Sequence, residues 1–146
     1  MFYESLSEAE RKKIFLILAG KAEKEIAKSI KFDYKLFGYV NSEKLIQLYQ
    51  ASDAFLSGSV IDADPMMVNQ AMSCGVPVIT FNTGIAIDVV YSKNTGYCAK
   101  DFSSQAFTDG IKWWYNLSEE DYFEISNNCR ELAIKMTSYE ATVKKL

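Results

Sequence analysis

The sequence predicts an α/β fold, a parallel sheet with helices on both faces, and three observations predict it. Short apolar runs alternate with helical stretches from about Ile14 to Ala99, the pattern of repeated strand–helix units. The runs Ile14–Ala19 and Val76–Phe81 are continuous rather than alternating, as expected of strands buried on both faces. Between two such runs, Pro65 and Gly75 bracket a helix: proline fits the first turn, and glycine fits the left-handed C-cap.

Composition bounds the answer. A chain of 146 residues, 49% apolar, with 7 Gly and 2 Pro, is enough for a single domain over 1–146 with its own core. The net charge of −3, with both signs interspersed, carries no nucleic-acid footprint. Cys74, Cys98 and Cys129 are widely spaced, no C-x-x-C occurs, and there is no histidine. Structural zinc and a disulfide framework are therefore disfavoured, and a reduced, cytoplasmic setting fits. Without histidine, no Ser-His or Cys-His nucleophile pair can be assembled. No apolar run reaches membrane-span length and no signal peptide opens the chain.

In chain order, Phe2, Leu6 and Ala9 share a helical face, and Ser7 with Glu10 has capping-box spacing. Ile14–Ala19 is the first strand, closed by Gly20; a polar helix follows from Lys21 to about Ile30. Tyr34–Tyr39 is the second strand. Asn41 or Ser42 caps a helix that buries Leu45, Ile46, Leu48 and Tyr49. Ala54–Leu56 is a third strand. The helix from Pro65 to Ser73 begins beside Asp62 and Asp64, whose carboxylates complement its positive end. At least one of Met66 and Met67 reads as core filler. Val76–Phe81 is the next strand, and Asn82-Thr83-Gly84 is a loop whose backbone amides can approach a ligand, or a plain turn. Lys93–Gly96 is a turn and Tyr97–Ala99 a last strand. Ser103 or Ser104 caps a helix through Tyr115 carrying Phe107, Ile111 and Trp114. The C-terminal helices occupy 118–146. Ser118 caps one with Tyr122, Ile125, Cys129, Leu132 and Met136 on one face, and an amphipathic tail starts at Ser138.

The stretch Ser57–Gly84 organises the rest. A helix N-terminus facing the carboxyl ends of parallel strands is where open α/β sheets bind anions. Its run Ala71-Met72-Ser73-Cys74-Gly75-Val76-Pro77-Val78-Ile79, preceded by an acidic residue and a proline and followed by a glycine loop, resembles the donor-sugar signature of GT-B glycosyltransferases, specifically glycosyltransferase family 4. The resemblance extends more weakly from about Phe2 to Trp114, and it departs at the family's paired Glu residues, which are Asp62 and Gln70 here. Aspartate is one methylene shorter; glutamine keeps its hydrogen-bonding capacity without charge.

The resemblance implies a Rossmann-like parallel sheet forming the C-terminal half of a GT-B fold, lacking its first strand and the basic pair that clamps the diphosphate. It also implies an absent N-terminal acceptor-binding domain of the same enzyme. Without that first strand the sheet closes by direct pairing of the Ile14 and Ala54 strands, or by a strand from another copy. The implied substrate is a nucleoside diphosphate sugar, with no cofactor and no metal. No residue is assigned a certain catalytic role. Asp62 would contact the donor sugar, Gln70 the ribose, and Gly38, Tyr39 and Val40 the base. Gly20 and Lys21 would lie near the phosphates, and Asp64, Met66, Met67, Asn82, Thr83 and Gly84 would face the donor. Plainer readings stand beside these: Lys21 as a solvated surface lysine, and Tyr39 as a packed edge residue. The implied reaction is retaining sugar transfer to an acceptor hydroxyl in bacterial surface polysaccharide synthesis. The fragment alone would be inactive, and the parent cytoplasmic, with room for peripheral association at the inner face of the membrane. The alternative is a nucleotide-binding or interaction module without catalysis. An unrelated Rossmann-like domain is weaker, because no G-x-G-x-x-G occurs.

Overall fold

The structure, a computed structural model, describes residues 2–21, 28–61, 66–84 and 86–137. Most of the polar helix expected after Lys21, the helix start at Asp62–Pro65 and the tail from Ser138 lie outside these residues. The chain forms two compact units, Met1–Leu48 and Tyr49–Leu146.

In the first unit, strands β1 (Phe15–Ala19) and β2 (Asp33–Gly38) pair in parallel. Before them, a 3-10 turn (Tyr3–Ser5) is followed by a helical turn, α1 (Glu8–Arg11). Ser7 caps α1 as its spacing predicts: its Oγ accepts from the Glu10 amide at 3.3 Å, and its own amide donates to the Glu10 carboxylate at 2.7 Å. The Ser7 hydroxyl and amide hold the Glu10 carboxyl below its ordinary range. Phe2 and Leu6 are buried, but Ala9 is exposed. Extended backbone at Leu6 (φ −98°, ψ 144°) separates the two turns, so helical spacing does not carry across them. Replacing Ser7 with Ala should cost about 1 kcal/mol in urea denaturation, the usual value of a lost N-cap.

Helix α2 (Ser42–Gln50) is capped by Asn41, whose Oδ1 accepts from the Lys44 amide at 2.9 Å. Leu48 and Tyr49 are buried and Leu45 half-buried, as expected. Ile46 is exposed instead. It lies one position, about 100°, around the helix from Leu45, outside the stripe that 45, 48 and 49 define.

In the second unit, β3 (Phe55–Ser57), β4 (Val78–Phe81) and β5 (Gly96–Ala99) form a parallel sheet in that order. Within each unit, among the described residues, β1 pairs with β2, and β3 with β4. All of β4 is buried, so both its faces are covered. Ile79 and Phe81 face α5 (Ser104–Tyr115): the Phe81 and Phe107 rings lie 5.1 Å apart, and a Cβ placed on Gly110 would press on Ile79 and Tyr97. Strand alternation turns Val78 and Thr80 to the opposite face. Helix α3 (Met66–Ser73) connects β3 to β4 as a parallel crossover. It ends in a Schellman motif, the Val76 amide donating to Ala71 O at 3.0 Å and the Gly75 amide to Met72 O at 2.9 Å. A short helix, α4 (Ala86–Val89), links β4 towards β5.

The last described helix, α6 (Glu119–Thr137), packs on α3. Ser118 caps it through the Asp121 amide at 3.1 Å. Its inward face is the expected one, with Ile125 and Cys129 buried and Tyr122, Leu132 and Met136 half-buried. From α6, Ser126 Oγ donates to Gly75 O at 2.6 Å and Arg130 to Ser73 O at 3.0 Å. These bonds occupy carbonyls at the end of α3 that its own ladder leaves open. No helix among the described residues is long and apolar enough to cross a membrane.

Candidate functional site

In the first unit, the candidates cluster at the carboxyl ends of the two strands. Gly20 and Gly38 lie side by side there, the Gly20 amide donating to Gly38 O at 2.6 Å. Both have left-handed backbone (φ +101° and +63°), and no atom lies within 4 Å of a Cβ built on either. Backbone conformation, rather than crowding, therefore calls for glycine at both. Lys21 is exposed immediately beyond. Tyr39 is 84% exposed, so it is not a packed edge residue. Val40 is half-buried and leads into the Asn41 cap of α2.

In the second unit, Asp62 and Asp64 lie outside the described residues. The described start of α3 presents Met66 (65% exposed), Met67 (44% exposed) and Gln70 to solvent. These three share a face by their i, i+3 and i+4 spacing, while Val68, Ala71 and Met72 bury the other. The core-filler reading of the methionines therefore fails. Their apolar character pointed inward, but the core side of this helix is filled by 68, 71 and 72.

The loop after β4 leaves fewer free amides than its composition implies. The Asn82 amide donates to Ala99 O at 3.0 Å and the Thr83 amide to Phe81 O at 2.9 Å. The Gly84 amide has no partner among the described residues. Beside the loop, the Cys98 thiol donates to Asn82 Oδ1 at 3.5 Å. Sequence reasoning left Cys98 without a role. The β4–β5 register sets Cys98 against Thr80 and Phe81 against Ala99, so 98 lies diagonally across from 82, two positions past its partner.

Two shallow clefts, of about 220 and 250 Å³, lie where α6 meets the turn before β5; Asn128 lines both. No predicted site residue lines either. That turn precedes Gly96, which pairs with Val78 at the start of β4, so the clefts sit at the amino ends of the strands. Open α/β sheets bind ligands at the opposite, carboxyl ends, where Asn82–Gly84 lies.

Comparison with known proteins adds the family. The sequence model described as Glycosyl transferases group 1 matches residues 2–136. No curated protein sequence matches significantly. Among solved structures, the chain is similar to WaaG, a glycosyltransferase involved in lipopolysaccharide biosynthesis (TM-score 0.79, 18% identity, 99% of this chain and 40% of that one). It is similar to a glycosyltransferase from Rickettsia africae (TM-score 0.77, 21% identity, 90% and 38%). It is also similar to Anabaena HepE in complex with UDP-glucose (TM-score 0.67, 20% identity, 89% and 40%). At these identities the likeness shows the fold, a Rossmann-like half of the GT-B architecture. This chain spans about two fifths of each of these relatives.

Proposed function

This chain belongs to the glycosyl transferases group 1 family, and on that premise we propose that it is the C-terminal, donor-binding domain of a retaining transferase of glycosyltransferase family 4. The observation that carries the reading is the outward face of α3, where Met66, Met67 and Gln70 stay unpacked on a helix whose other side is buried. The signature from Ala71 to Ile79 runs through the end of that helix into β4. UDP-glucose bound to a structural relative agrees in ligand class.

In this reading the bond between the anomeric carbon and the diphosphate oxygen breaks as an acceptor hydroxyl takes the sugar. Negative charge grows on the leaving diphosphate. Within the second unit, the N-terminal end of α3 and the Gly84 amide would stabilise it, without a metal or cofactor; Lys21, in the first unit, is proposed separately as a phosphate contact. Asp62 would hold sugar hydroxyls and Gln70 the ribose hydroxyls. Gly38, Tyr39 and Val40 would meet the base, the exposed Tyr39 ring offering an apolar surface for it. An N-terminal acceptor domain of the same enzyme would complete the active site. The parent would act in surface polysaccharide synthesis at the cytoplasmic face of a bacterial membrane, and the chain alone would not turn over.

Amide NMR titration of this chain with UDP, GDP and ADP tests donor binding. Shifts at Gly38–Val40, Met66–Gln70 and Asn82–Gly84 are expected; a folded chain silent to all three nucleotides at millimolar concentration would count against the reading. Asp62→Ala in the full-length parent tests catalysis, with transfer expected to fall about a hundredfold or more while folding is retained. Unchanged transfer would remove Asp62 from the site. One observation favours a second reading, a nucleotide-binding module without catalysis: the acidic pair of the family is Asp62 and Gln70 here. Nucleotide binding by a full-length parent that transfers no sugar would select it.

A further inference from the structure

Under the donor-binding reading above, the Gly84 amide stays available, but Asn82 would serve the donor through its side chain, because its own backbone amide is engaged within the chain. Asn82 is exposed, and its backbone is pinned to Ala99 O at 3.0 Å. Its side-chain Oδ1 accepts from the Cys98 thiol at 3.5 Å. An asparagine amide has one acceptor end and one donor end, so occupying Oδ1 presents the two Nδ2 hydrogens on the other side. Cys98 is itself fixed. Its amide donates to Ser92 Oγ at 3.2 Å, and the Ser92 hydroxyl donates back to Cys98 O at 3.5 Å.

We propose that Cys98 is a positioning residue, whose thiol holds the Asn82 side-chain amide with its Nδ2 hydrogens free to donate to the diphosphate of the donor. This rests on the donor-binding reading above and adds to it the orientation of one hydrogen-bond donor. The geometry requires a protonated thiol, since a thiolate can only accept. Burial pushes the Cys98 thiol up from its ordinary value, so it stays protonated at neutral pH. An unheld asparagine amide would rotate and present its carbonyl end to the phosphate in part of the population, which repels.

The test uses the 146-residue chain labelled with ¹⁵N. In the free protein, the Asn82 side-chain NH₂ resonances should sit away from random-coil positions. Cys98→Ala should move them towards those positions, and Cys98→Ser, which keeps a donor, should restore them. A dispersed amide spectrum confirms that each variant folds. UDP affinity should fall about threefold in Cys98→Ala, the size expected for a weak S–H···O bond, and recover in Cys98→Ser. Unchanged Asn82 resonances in Cys98→Ala would overturn the positioning. Equal UDP affinity in the wild type and Cys98→Ala would overturn its bearing on the donor. A wild-type chain that shows the Asn82 response yet binds no UDP, GDP or ADP also overturns the donor role, and locates the failure in the donor-binding reading rather than in the Cys98–Asn82 contact.

Discussion

Gly96→Ala should destabilise the Tyr49–Leu146 unit by at least about 3 kcal/mol, enough to leave much of the protein unfolded at 25 °C if its stability is ordinary. Gly96 opens β5 and pairs with Val78, and a Cβ there would run into the Val78 carbonyl, with Val78 C and N also at 3.0 Å. These are backbone atoms, so no rotamer change relieves the collision. The strands would have to separate at their first pair, in the one strand of the sheet whose residues are all buried. Gly20→Ala and Gly38→Ala are the controls. Both positions have left-handed backbone, but a Cβ meets nothing within 4 Å, so each should cost only about 1–2 kcal/mol. Urea denaturation followed by circular dichroism ranks the three. A Gly96→Ala midpoint no lower than that of Gly20→Ala would show that β5 can shift away from β4 at little cost.

The fold was legible because its signals are local and strong. The Schellman end of α3 was readable in Gly75, the Ser7 cap in its spacing to Glu10, and the Ser118 cap in a serine placed just before an amphipathic stripe. The buried strand β4 was readable in an unbroken apolar run. The errors arose where sequence shows composition but not direction. Ile46 is as apolar as Leu45, yet a step of about 100° carries it out of the buried stripe. Met66 and Met67 face solvent because Val68, Ala71 and Met72 already fill the core side of α3. Ala9 left its expected face because one extended residue broke the helical phase. The site was less legible than the fold. Glycine and asparagine in the β4 loop announced available amides, but the Asn82 amide bonds across to β5 and the Thr83 amide back to Phe81. The Cys98–Asn82 contact spans sixteen residues and depends on strand register, which no short motif encodes.

Alkaline pH should unfold this protein through two buried acids. Cys129 is fully buried in α6, where its thiol donates to Thr95 O at 2.9 Å, and burial pushes it up from 9.0 to about 12. Tyr49 is 5% exposed and its hydroxyl has no hydrogen-bond partner among the described residues; burial first, then the nearby Cys74 thiol, pushes it up from 10.0 to about 12. Both groups are neutral when protonated, and both hold their protons more tightly folded than unfolded. Their contribution is therefore fully present below the unfolded values, near pH 9 to 10, and is lost as pH rises towards about 12. Each tenfold gain in proton affinity on folding is worth about 1.4 kcal/mol, so the two groups together hold a sizeable part of the stability of an ordinary domain. Cys74, Cys98 and Tyr122 are displaced upward as well and act with the same sign. The expected result is a circular-dichroism signal steady from pH 6 to about 9, followed by cooperative loss before about pH 12. Tyr49→Phe removes a titrating group and an unpaired buried hydroxyl at once, so it should move the alkaline midpoint upward with no loss of stability at neutral pH. Cys129→Val should also move the midpoint upward, but at a cost near pH 7, because it gives up the bond to Thr95 O. Midpoints unchanged in both variants would show that neither buried acid drives the transition.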